Sequence, residues 1–149
     1  MLPTSKLALV RSFWNKEACG THFVPAEPGT AEFYKQYRQF RYETEWHIPE
    51  IVPFQDGKDR DVLEIGCGNG ADGAMWAQNG ARYTGVDLTD AAVVATRKHF
   101  EVLGLPGRFE VQDAEKLTFA DQSFDIVYSH GVLTTRRIRS APSRRCTDS

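Results

Sequence analysis

Apolar and polar positions along this chain follow two rhythms in turn. In AEFYKQYRQFRYETEW, Phe33, Tyr37 and Phe40 recur at i, i+4 and i+7, the stripe of an amphipathic helix, and PAEPGT supplies the loop before it. EWHIPEIVPF continues as one or two further helical turns, and QDGKDR is a polar loop. The rhythm then shortens. DVLEI is a compact apolar run ending at Gly66, ADGAMWAQNG is a helix closed by Gly80, and YTGVD is a second strand ending on Asp87. DAAVVATRKHFEVLGL is a long helix opened by Asp90 and stopped near Gly104 and Pro106. FEVQDAE and FDIVYSH are a third and a fourth strand. Strand, helix, strand, helix, strand, strand at this spacing predicts βαβ units and a parallel sheet, an α/β fold without internal repeats.

Composition narrows the class. A chain of 149 residues, 41% hydrophobic and 26% charged, has the length and balance of one soluble globular domain. Lys and Arg total 18 against 20 acidic residues, but the last sixteen positions hold five arginines and one aspartate, leaving 13 basic against 19 acidic residues in 1–133, a net of −6. An acidic body argues against a nucleic-acid footprint across the domain. MLPTSKLALVRSFW has a short apolar run broken by Arg11, so neither a secretory signal nor a membrane span is expected. Cys19, Cys67 and Cys146 are odd in number and widely spaced, and Cys19 with His22 is a lone C-x-x-H. No disulfide framework and no metal site are expected, and the reducing cytoplasm is the expected location.

The chemistry concentrates in LEIGCGNGADG, where Gly66, Gly68 and Gly70 alternate directly after a strand and directly before a helix. Glycine there allows backbone to approach a ligand closely. In an open α/β sheet ligands sit at the carboxyl ends of the strands. Residues 64–70, Asp87, 113–115, Ser129 and His130 should therefore meet at one crevice. Gly66, Gly68 and Ala71 also satisfy G-x-G-x-x-A, and Asp87 stands 21 residues after Gly66, so an NAD(P)- or flavin-binding oxidoreductase is a rival reading. Two features weigh against it. Glu64 occupies a strand position where a dinucleotide fold keeps an apolar residue, and a buried carboxylate needs a partner. A second acidic strand end, Asp113-Ala114-Glu115, suits a cationic ligand.

LEIGCGNG, then TGVD, then QDAEKLTFADQSFDIVYSHGVL, taken in that order over residues 61–133, resembles the class I S-adenosylmethionine-dependent methyltransferases, in the branch whose first motif reads E-x-G-x-G-x-G. The resemblance implies a Rossmann-like parallel sheet with S-adenosyl-L-methionine as donor. It also implies that Glu64 and the loop of Gly66, Cys67, Gly68 and Gly70 hold the methionine end and that Asp87 accepts the ribose hydroxyls. Leu88 would lie against the adenine, Asp113 would receive the adenine amino group, Ala114 would pack on the ring, and Ser129 and His130 would border the methyl group. A sulfonium donor is already activated, so transfer requires placement and exclusion of water rather than a covalent nucleophile. The catalytic residue stays unassigned. His130 is the candidate base, although a strand-end histidine serves structure more often than proton transfer. His22, His47 and His99 are scattered and read as surface or packing residues, and Cys67 as a small loop filler. The N-terminal aromatics read equally as a lid or as packing.

Nothing of the family pattern follows the fourth strand. In a frame shifted by one base, one choice of codons for TTRRIRSAPSRRCTDS reads HHTPDTERAIEEVHRF, a Thr-Pro helix start with apolar residues at helical spacing. The expectation is a frameshift near codon 134, with 1–57 an N-terminal helical extension or lid, 58–133 the donor-binding core and 134–149 a disordered, out-of-frame tail. The sheet would be incomplete at its C-terminal side, FDIVY an open edge, and turnover weak or absent. A non-catalytic, partner-dependent module stays open beside the two enzyme readings. A small-molecule acceptor is favoured, while its identity and the oligomeric state are not legible.

Overall fold

In the computed structural model, residues 23–130 are described throughout, together with Ser5, Ala8, Leu9, Arg11 and Ser12 and the backbone of Cys146–Asp148. Cys19 and His22, discussed above as a C-x-x-H, lie outside the described residues.

The first helix, α1, runs Ala31–Thr44. Thr30 caps it by accepting the Phe33 N–H, Glu32 sits in the first turn and Arg41 in the last, the charge order favoured by the helix dipole. It buries Phe33, Tyr34 and Tyr37, while Phe40 stacks on Phe23 at 5.1 Å. A four-residue helix, α2, follows at Ile48–Ile51, and Phe54–Gly57 forms a 3-10 turn. The α/β part then alternates as β1 Asp61–Ile65, α3 Ala71–Gln78, β2 Arg82–Asp87, α4 Asp90–Leu103, β3 Arg108–Val111 and β4 Ile126–Ser129. Helix α4 begins at Asp90, as expected, with Thr89 as its cap, and Gly104 ends it in the left-handed region at φ 66°.

All strands are parallel, in the order β3-β2-β1-β4-β5, with β5 at Cys146–Asp148. Three residues of the segment expected to be disordered thus run beside β4, where an open edge was expected. The third strand is shorter than FEVQDAE suggested: it stops at Val111, and Asp113 lies in the following turn.

Period-two alternation along β1 sorts its residues to the two faces. Val62 joins Ile48, Phe54, Trp76, Tyr83, Phe100 and Tyr128 in the larger cluster, beneath the helices. Leu63 and Ile65 join Val86, Ala114, Phe124 and Val127 in the smaller one. Glu64 is in phase with Val62 and points into the helix-covered face. Among the described residues no helix is long and apolar enough to cross a membrane.

Candidate functional site

Because every strand is parallel, all carboxyl ends lie along one edge of the sheet, and the glycine loop sits there between β1 and α3. The Gly66 and Cys67 N–H groups both donate to the Val86 carbonyl, at 2.8 and 3.1 Å, which ties the loop to β2. Gly66, Gly68 and Gly70 have φ of 82°, 55° and 82°, a region that costs residues with a Cβ. At Gly70 a Cβ would also lie 3.0 Å from Thr96 Cγ2, whereas around Gly68 there is nothing within 4 Å. Gly70 is thus required by packing as well as by conformation, and Gly68 faces open space.

Asp87, at the end of β2, closes the loop. Its Oδ2 accepts the Gly68 N–H at 3.2 Å and its Oδ1 accepts the Thr89 N–H at 3.1 Å. The carboxylate is half-buried and keeps further lone pairs for a ligand. Leu88 is half-buried beside it, and its carbonyl accepts Arg11 Nε–H at 2.9 Å. Asp113 spends one oxygen on its own turn, accepting the Glu115 N–H at 3.0 Å. Ala114 is buried in the smaller core cluster. Cys67 is buried, and burial followed by the charge of Asp87 pushes its thiol well above the usual range, as expected of an inert filler.

Glu64 has its partner. It is 4% exposed, and its Oε2 accepts the Tyr83 hydroxyl at 2.5 Å. Burial and then the charge of Asp72 push the carboxyl well above the ordinary range, against the pull of the Tyr83 hydrogen bond. Gly73 makes room for this pair: a Cβ there would collide with the Tyr83 hydroxyl and lie 3.0 Å from Glu64 Oε2.

Sequence reasoning missed Asp72. It is 3% exposed on α3 and accepts four hydrogen bonds: from Arg41 Nε at 3.0 Å, Arg41 Nη2 at 2.7 Å, the Tyr42 hydroxyl at 2.9 Å and the Tyr128 hydroxyl at 2.8 Å. Burial alone would raise its carboxyl, but the bonds and charge of Arg41, with Tyr128 and Tyr42, hold it below the usual range. The network clamps α1 onto α3 and β4. The one signal available, an acid in the first turn after a glycine loop, reads equally as a helix-dipole partner, and its four donors lie 30 to 56 residues away.

At the end of β4, Ser129 Oγ–H donates to the Ile65 carbonyl at 3.1 Å, and His130 Nε2 lies 2.8 Å from Glu45 Oε2. His47 stands near, its ring 6.4 Å from that of His130. Glu45, just past α1, is thus a second residue that the sequence did not bring to this edge. The sheet unites the loop, Asp87, Ser129 and His130 along one edge, with Asp113 and Ala114 in the turn after β3. Glu64 lies beneath the loop rather than on its surface.

A family described as a methyltransferase domain matches residues 62–144, more than half of the chain. Over 70 residues the chain is 37% identical to a ubiquinone biosynthesis O-methyltransferase of Coxiella burnetii, covering 47% of this chain and 30% of that protein. It is 39% identical over 70 residues to a phthiotriol/phenolphthiotriol dimycocerosates methyltransferase of Mycobacterium tuberculosis, covering 46% of this chain and 25% of that protein. The stretch shared with these relatives therefore spans less than a third of their length. Among solved structures, an S-adenosylmethionine-dependent methyltransferase from Methanosarcina mazei aligns with TM-score 0.51 and 28% identity, over 56% of this chain and 44% of that one. Magnesium protoporphyrin IX methyltransferase from Synechocystis, crystallised with S-adenosylmethionine, aligns with TM-score 0.66 over 92% of this chain and 67% of that one; at 23% identity it shares the fold. With its glycine loop on β1, its acid at the end of β2 and the match across 62–144, the chain belongs to the methyltransferase domain family.

Proposed function

We propose that the chain binds S-adenosyl-L-methionine at the carboxyl edge of its sheet and serves methyl transfer to a small-molecule acceptor. The observation that carries the reading is the bond from the Gly68 N–H to Asp87 Oδ2, which brings the open glycine loop and a half-buried acid together where a nucleoside would lie. The residues fit such a donor. Gly68 leaves space a Cβ would fill, Asp87 has lone pairs for ribose hydroxyls, and the loop keeps the Asn69 N–H for an anionic end. Bound there, S-adenosylmethionine would supply a methyl group already activated on a sulfonium. The loop of Gly66, Cys67, Gly68 and Gly70 would hold the methionine end, Asp87 the ribose, and Leu88, Asp113 and Ala114 the adenine side. Ser129 and His130 would face the acceptor, with Glu45 holding the His130 ring. Glu64 supports the loop from below through Tyr83. In this reading 1–57 is an N-terminal helical extension, 58–133 the donor-binding core and 134–149 a basic tail.

The acidic body supports a small-molecule acceptor over a nucleic acid, as does the likeness to a protein named for ubiquinone biosynthesis. Calorimetric titration of the full chain with S-adenosylmethionine, and in parallel with NADH, tests the proposal. The expected result is binding of the former alone, weakened roughly hundredfold in Asp87→Ala by loss of two hydrogen bonds to a charged acceptor. Binding of NADH without S-adenosylmethionine would overturn it in favour of the dinucleotide reading.

A further inference from the structure

Two side chains on α4 hold the glycine loop from behind. Thr96 Oγ–H donates to the Gly68 carbonyl at 2.8 Å, and His99 Nδ1–H donates to the Asn69 carbonyl at 2.8 Å. They stand three residues apart on one helix face, and both are fully buried. A carbonyl can only accept, so Nδ1 carries the proton and Nε2 keeps a bare lone pair. Nε2 is buried with no partner among the described residues, and burial pushes the ring down to about 4, against the pull of the Asn69 bond. The ring is therefore held in one tautomer. Tyr34 of α1 lies flat on it, centroids 4.3 Å apart and planes 15° apart, and its hydroxyl donates to the Ala95 carbonyl at 3.0 Å.

These bonds orient two peptide groups. A trans peptide carries its C=O and N–H on opposite sides. Where the Asn69 carbonyl turns to His99, the Gly70 N–H closes the turn by donating to the Cys67 carbonyl at 2.9 Å. Where the Gly68 carbonyl turns to Thr96, the Asn69 N–H points away from α4 and meets no acceptor among the described residues. Asn69 is a buried residue, and a backbone N–H left without a protein acceptor is met by water or by a ligand.

Building on the donor reading above, we propose that Thr96 and His99 are positioning residues of the donor site: they set the Gly68–Asn69 peptide so that its N–H is presented to the carboxylate at the methionine end. Through Tyr34, α1 belongs to that support and is not a lid that swings free.

Two probes separate this from general destabilisation. S-adenosylhomocysteine carries the carboxylate, whereas 5′-methylthioadenosine keeps the nucleoside and lacks it. In titrations of the full chain, Thr96→Val and His99→Leu should each weaken S-adenosylhomocysteine about tenfold, the scale of one hydrogen bond to a charged group, and leave 5′-methylthioadenosine within about twofold. His99→Asn places an amide N–H close to where Nδ1 stood and should keep S-adenosylhomocysteine within about threefold, so Thr96→Val and His99→Asn carry the test even where His99→Leu does not fold. Equal weakening of both probes, or wild-type affinity in Thr96→Val, would overturn the positioning role while leaving the donor reading intact. A wild-type chain that binds neither probe would overturn the donor reading, and this inference with it.

Discussion

The glycine loop and the end of β4 lie side by side at the carboxyl edge but are held in different ways. The loop takes its partners from β2 and from α4, the helix that follows it: Val86, Asp87, Thr96 and His99, all within about thirty residues. The end of β4 leans on the N-terminal helix, because His130 pairs with Glu45 and Tyr128 shares Asp72 with Arg41 and Tyr42. The rim at the glycine loop is thus assembled mainly by near neighbours in the chain, while the rim at β4 is shaped by the helix that covers the sheet.

The sharpest way to break the comparison is at Asp72. Asp72→Asn keeps the shape but leaves the Arg41 guanidinium only Glu45, 3.5 Å away, as counter-charge in a site partly open to water. A loss of about 3 to 5 kcal/mol is expected, read as a lower urea midpoint. Detachment of α1 should then disorder the Glu45–His130 contact before the loop is affected. Loop amides exchanging faster than those of β4 in this variant would contradict the two-rim picture.

A smaller effect probes the loop side. Folded His99 takes up its proton only near 4, whereas the unfolded chain does so near 6.5, so between these values the unfolded state holds more protons. Stability therefore falls as pH drops through that window and levels off below it. Relative to His99→Asn, the wild-type chain should lose about 3 kcal/mol more between pH 7 and pH 4. Parallel pH profiles for the two proteins would refute a buried neutral ring. The smallest effect is at Arg82, which pairs with Asp61 at 2.7 Å where β2 and β1 begin, at the opposite edge of the sheet from both rims. Arg82→Ala should leave the urea midpoint unchanged, since exposed pairs contribute little.

Local rules carried the strands, the helices and the loop far. LEIGCGNG announced a strand, a turn needing left-handed backbone and a helix start, and TGVD announced a second strand end bearing an acid, because those constraints act within a few residues. The third strand was read four residues too long, since residues 112–115 leave the ladder for a turn that Asp113 itself stabilises. Tyr34 fell outside the apolar stripe because a stripe records which face is apolar, not that a hydroxyl finds the Ala95 carbonyl.

Period, glycine and strand-end acids act at short range, so the sequence alone carried the alternation of elements, the parallel sheet and the edge at which the strand ends meet. Only the tertiary structure decided what the buried polar groups do. It set Glu64 against Tyr83 with its carboxyl pushed upward, gathered four donors on Asp72, turned His99 into a support for the loop and brought Glu45 to His130. The physical reason is that a buried polar group takes its charge and its role from the partners that desolvation forces it to find, and those partners come from distant parts of the chain.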